Sequence, residues 1–149
     1  MGYSYENAMS VLIEYAKNQG FKDVELNFDN VSMVTWDDLN TPDTIKIEEK
    51  QPIEMKVYIL LHELGHHELR KDWGKFEQEM PIIAKAEMLK EYKLKRRIGY
   101  YVSCLEEEYM SWDSGYLLGK SLGIEINEDK WLELKNKCLM GYIRFFGKK

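Results

Sequence analysis

At Pro52 the spacing of apolar residues changes from every second position to about every 3.6. Before it, Val24, Leu26 and Phe28 alternate with polar residues, Asp29-Asn30 offers a turn, and Val31, Met33 and Val34 lead to Trp36. Residues 37–42 have loop chemistry, and Thr44-Ile45-Lys46-Ile47-Glu48 is a short alternating strand. After Pro52, the residues Ile53, Val57, Leu60, Leu61 and Leu64 lie along one helical face as far as about Arg70. Residues 4–18 form another amphipathic helix, with Ser4 to cap it and Gly20 to end it. Residues 71–79 read as irregular. Pro81 can open a helix through about Lys93, a further apolar pattern covers 98–122, and Asn127 can cap a last helix through Phe145. This order predicts an α+β domain, mostly helical, with a small and mostly antiparallel sheet of two or three short strands.

The chain has 149 residues, 44% of them hydrophobic, which suffices for one core and predicts a single domain over 1–149. A net charge of -5 gives no basic field to draw nucleic acid or anionic lipid. The longest apolar run, residues 57–61, is far too short to span a bilayer. The first residues carry neither the apolar stretch of a signal peptide nor a serine or threonine at position 6 for myristoylation. Cys104 and Cys138 are too few for a disulfide framework and are expected reduced, buried as small hydrophobes. The expectation is a cytoplasmic protein with no membrane or nucleic-acid partner.

All three histidines crowd into His62-Glu63-Leu64-Gly65-His66-His67. His62-Glu63-x-x-His66 is the H-E-x-x-H pattern, which would arise in roughly one shuffled sequence in a hundred. Residues four apart stack on one helical face, so both imidazoles can reach one metal ion. Glu63 projects beside them and can take the proton of a metal-bound water attacking a carbonyl. Gly65 is costly inside a helix unless something packs close against it.

A catalytic zinc takes three protein ligands and keeps one position open. His67 points about 100° from His66, which makes it a poor third ligand and a better partly exposed or hydrogen-bonded side chain. The third ligand is then a carboxylate or a cysteine. Asp72 lies six residues after His66, but the turn that would bring it back needs a glycine where Leu69 stands. The acidic run Glu106-Glu107-Glu108 precedes Ser111 and Gly115, a stripe of small residues on which two helices can approach closely. That stripe favours Glu108, with Glu107 as the alternate.

With these residues the chain resembles the gluzincin type of zinc metallopeptidase, and more closely the small ImmA/IrrE-like domains of bacteria and their phages. The matching stretches are Leu61-His62-Glu63-Leu64-Gly65-His66 and the run from Leu105 through Glu108 and Trp112 to Gly115, with Leu139-Met140-Gly141-Tyr142-Ile143 near the end. The resemblance implies a zincin-like fold, one Zn2+ per chain held by His62, His66 and Glu108, and Glu63 as general base. Ser111 stands where the family pattern has alanine, the segment 71–97 is longer than usual, and no helix-turn-helix or sensor domain accompanies the motif. The substrate of regulatory members, a repressor, therefore does not carry over.

Among the remaining residues, Tyr100, Tyr101, Tyr109 and Tyr116 are candidates to stabilise an oxyanion, with none singled out. Asp113 points away from Glu108 and reads as a surface residue, residues 93–97 as a solvated basic helix end, and Trp112 and Trp131 as core. The expected function is zinc-dependent hydrolysis of a peptide bond in a protein or peptide substrate. The alternative is a non-catalytic protein-interaction module that retains a structural metal site. Ligand type suits zinc, though manganese, cobalt or iron share these donors.

Overall fold

The computed structural model describes residues 4–27, 32–36, 42–89 and 97–148. Among the described residues, six helices and three strands follow in the order α1 (Tyr5–Asn18), β1 (Asp23–Asn27), β2 (Met33–Trp36), β3 (Pro42–Glu48), α2 (Ile53–Arg70), α3 (Trp73–Glu79), α4 (Pro81–Leu89), α5 (Ile98–Ser121) and α6 (Glu128–Gly147). The class is α+β, mostly helical.

Local chemistry fixes the helix ends. Ser4 caps α1 through the Asn7 N–H, and Gly20 (φ +101°) closes it with Gly20 N–H to Lys17 and Phe21 N–H to Ala16. Asn127 caps α6 through the Lys130 N–H. The expected irregular stretch at 71–79 is instead a helix. The Asp72 side chain accepts the Lys75 N–H as its cap, and Phe76 buries with Met80, Ile83 and Ala84 in a small second cluster. Seven residues are too few to display a period in sequence. The end expected for the next helix, near Lys93, lies outside the described residues, as do the turn at Asp29-Asn30 and most of the 93–97 run.

The sheet has three strands, as expected, but it is mixed rather than mostly antiparallel. Its order is β1-β3-β2, with β3 parallel to β1 and antiparallel to β2. The last strand enters between the first two because Ile45 and Ile47 are the sheet's fully buried side chains, and the central slot best covers them.

The main core gathers Ala8, Leu12 and Ala16 of α1 and the two isoleucines of β3 around α2. From Val57 to His67, only Ile59 of α2 is not buried, as befits a helix packed against α1, β3 and α5. Trp112 and Trp131 lie in this core as expected, their rings 5.0 Å apart. Helices α2 and α5 meet at backbone distance. A Cβ on Gly65 would lie 1.9 Å from the Ser111 carbonyl oxygen, and one on Gly115 would lie 2.4 Å from that of Leu61. The small stripe thus accomplishes the close approach that the sequence implied. Helix α6 is tied across α2 through Tyr58, whose hydroxyl accepts the Asn127 N–H at 2.8 Å and donates to Glu54 at 2.9 Å. Among the described residues, no helix is long and apolar enough to cross a membrane.

Candidate metal centre

The close packing of α2 on α5 brings His62, Glu63, His66 and Glu108 together, all buried. Glu108 faces both imidazoles: Oε2 is 3.1 Å from His62 Nε2, and Oε1 is 3.0 Å from His66 Nε2. The opposite face of each ring is held by α5. His66 Nδ1 lies 2.8 Å from Glu107 Oε2; an ionised carboxylate only accepts, so the ring N–H donates there. His62 Nδ1 lies 3.0 Å from the Ser111 hydroxyl, which itself donates to the Glu108 backbone carbonyl at 2.8 Å and so accepts from the ring. Both partners leave Nε2 as the ring atom that faces Glu108, and burial, which opposes a charge on His66, is outweighed by Glu108 and Glu107, so that this ring is held well above its usual range. Trp112 stacks on His62 at 4.2 Å and limits its tilt.

Glu107 thus faces the rear of the His66 ring and not the gap between the two Nε2 atoms. Arg70, one turn after His66 on α2, grips it with Nε at 3.1 Å and Nη2 at 2.7 Å. Burial would raise the Glu107 carboxyl, but His66 and Arg70 outweigh it and hold the group at about 2. Arg70 itself sits between the rings of Trp36 and Phe76, at 4.5 and 5.0 Å. Burial likewise opposes ionisation of Glu108, and the two histidines reverse it, holding the carboxyl far below its usual range. Glu63 goes the other way. Burial raises its pKa, with His62, His66 and the Val34 N–H opposing and Glu108 adding. Its Oε1 stands 3.9 Å from His62 Nε2, beside the donors rather than among them.

The two rings are spaced as ligands of a shared ion would be. Two imidazoles sharing one ion at about 2.0–2.1 Å have ring centroids about 5 Å apart, and those of His62 and His66 are 4.9 Å apart. Adjacent tetrahedral donors at such distances are separated by about 3.3–3.5 Å, close to the two His–Glu108 contacts. The group that could hold a metal ion is His62, Glu108 and Cys138, whose ligand atoms all lie within 4.8 Å of one another; His66 is not in that group, although its Nε2 meets the other Glu108 oxygen.

Among the other candidates, Tyr100 and Tyr101 line the cleft that opens above the site, whereas Asp72, Glu106, Asp113, Tyr109 and Tyr116 do not. Asp72 caps α3 and is exposed, as is Glu106. His67 is the hydrogen-bonded side chain expected as one of two outcomes: it is buried, with Nε2 3.1 Å from Gln19 Oε1 and its ring edge-on to Phe21. Asp113 pairs with Lys135 at 2.9 Å. Tyr101 stacks on Phe146, Tyr109 lies under the Lys135 ammonium, Tyr116 donates to Glu128, and Tyr100 packs in the Phe76 cluster. Cys104 and Cys138 are only half-buried.

Sequence reasoning missed three participants. Tyr142 donates to Glu108 Oε1 at 2.9 Å, and Cys138, one turn earlier on α6, has Sγ 3.6 Å from Oε2. Arg70 is the third, and its signal was available: it lies four residues after His66, on the same face of α2. Tyr142 and Cys138 gave none, since nothing in a period places α6 against α5. The site floors an open cleft of about 1240 Å³ between β2 and the aromatic face of α6. No family model, no curated protein and no solved structure matches the chain.

Proposed function

We propose that the chain is a cytoplasmic zinc-dependent metallopeptidase of zincin type, similar to ImmA/IrrE-like domains, with zinc held by His62, His66 and Glu108. One observation carries the reading: partners on α5 fix both ring N–H groups, so that the two Nε2 atoms face a single carboxylate while Glu63 waits alongside. The ion, when bound, would polarise a scissile carbonyl and acidify a water. Glu63, made more basic by burial, accepts the proton of the attacking water and returns it to the leaving amine. The cleft beside β2 has room for an extended stretch of a protein or peptide.

The test is Glu63→Gln, which keeps the metal and abolishes hydrolysis, whereas His62→Ala and Glu108→Ala lose both. Incubation of the zinc-loaded chain with bacterial lysate yields new N-termini absent from the Glu63→Gln control. Failure to find any favours the second reading, a non-catalytic protein-interaction module with a structural metal site. The half-buried thiol beside Glu108 supports that reading, because structural zinc sites are closed by four ligands, often including cysteine.

A further inference from the structure

We infer that Cys138 is a further ligand of the metal, closing the position that a peptidase leaves to water, so that the resting protein is latent. This rests on the metal-site reading above and concerns how that site is regulated.

The geometry comes from α6. Cys138 Sγ is 3.6 Å from Glu108 Oε2, the same oxygen that lies 3.1 Å from His62 Nε2. The ligand atoms of all three residues lie within 4.8 Å of one another. This arrangement does not depend on one mobile side chain. Tyr142, one turn on, holds the other Glu108 oxygen at 2.9 Å, and α6 is anchored to α2 by Lys130–Glu54 at 2.8 Å and to α5 by Lys135–Asp113 at 2.9 Å.

An independent observation points to the sulfur. Trp112 is 3% exposed, and its indole N–H has no hydrogen-bond partner. It lies within reach of the Cys138 sulfur. A donor left unmatched in a core is unfavourable, and a metal-bound thiolate is the acceptor this one lacks. Binding breaks the S–H bond and forms a sulfur–metal bond; the proton leaves through the open cleft and a water is displaced from the ion. No electron is transferred. Hydrolysis then needs the thiolate to give way to water.

Cobalt(II) titration of the full chain tests this. One cobalt binds per chain, with a thiolate-to-cobalt charge-transfer band that is lost in Cys138→Ser and kept in Cys104→Ser. Zinc-loaded Cys138→Ser hydrolyses a mixed tryptic peptide pool at least tenfold faster than the zinc-loaded parent chain. Cobalt bound without that band, or a band that persists in Cys138→Ser, overturns the inference and leaves the peptidase reading standing. Absence of any bound cobalt overturns both. Should Cys138→Ser fail to fold, zinc X-ray absorption of the unaltered chain decides, with one sulfur at about 2.3 Å expected and an all-nitrogen/oxygen shell contrary.

Discussion

His66 and Glu107 meet at 2.8 Å across the α2–α5 interface, and the same carboxylate is gripped through both oxygens by Arg70. The three side chains are buried, and together they orient an imidazole from the rear while its Nε2 faces Glu108. The relay links packing to site geometry: the arginine that neutralises Glu107 also fills the space between Trp36 and Phe76.

Glu107→Ala leaves the buried Arg70 without its carboxylate and His66 without its orienting acceptor. Loss of one partner of a buried ion pair destabilises by about 3–5 kcal/mol, and loss of an orienting acceptor weakens metal binding about 10–100-fold. Denaturant unfolding and competition titration against a chelator measure the two effects. Glu106→Ala, on the exposed neighbour, stays within about 0.5 kcal/mol of the parent chain. Equal behaviour of the two variants contradicts the relay.

Three glycines that look alike in sequence have opposite expected outcomes. A methyl on Gly65 or Gly115 collides with a backbone carbonyl of the facing helix, at 1.9 and 2.4 Å, and neither carbonyl can move without parting the helices. Gly65→Ala and Gly115→Ala therefore destabilise by about 3 kcal/mol or more. Gly141 has nothing within 4 Å of such a methyl, so Gly141→Ala gains about 0.5–1 kcal/mol from helix preference alone. Thermal melts of the three variants give the ordering.

Most of the helices and the motif were legible because they depend on neighbours three and four residues away, whereas the seven residues of α3 are too few to show that period. Gly65, with Ser111 and Gly115, also announced a long-range contact, since small residues mid-helix are unfavourable without a close neighbour. The sheet was less legible. Alternation identified its strands but carried no information on which strand takes the centre, and the burial of Ile45 and Ile47 decided that. The roles within the acidic run resolved only in three dimensions: Glu106 is exposed, Glu107 faces Nδ1 and Glu108 faces Nε2. Cys138 and Tyr142 reach the site through the placement of a whole helix, which no local pattern encodes.

Tyr142 presents its hydroxyl to Glu108, and burial foremost, with Glu108 and its neighbours adding, keeps that hydroxyl protonated. It is a donor throughout the working pH range. Tyr142→Phe frees one oxygen of the carboxylate at almost no change in volume. The expected result is metal binding weakened about tenfold with the fold retained, checked by chelator competition alongside circular dichroism.

Cys104 supplies a pH dependence. Burial is the main cause that pushes its thiol up to about 11, opposed by Tyr100 and aided by Glu107 and Glu108. The thiolate is the reactive form, so at pH 8 only about one part in a thousand reacts. Because the shift is upward, reactivity rises with pH, about tenfold per unit until the thiol titrates. Iodoacetamide labelling of Cys138→Ser, followed by mass spectrometry from pH 7 to pH 10, follows this slope. A plateau near pH 9 contradicts it.

Ser111 is fully buried, and its hydroxyl is committed twice, to the Glu108 carbonyl and to His62 Nδ1–H. Ser111→Ala removes no bulk that α2 rests on, yet it leaves the ring N–H without an acceptor at about 1–3 kcal/mol. The ring also loses the contact that selects its tautomer, and Trp112 constrains only its plane. Nitrogen-15 NMR of the metal-free parent chain shows a slowly exchanging His62 Nδ1 proton, and the variant loses it. Metal affinity falls with it by about tenfold or more, which separates orientation from packing: a purely structural serine would change stability and leave affinity alone.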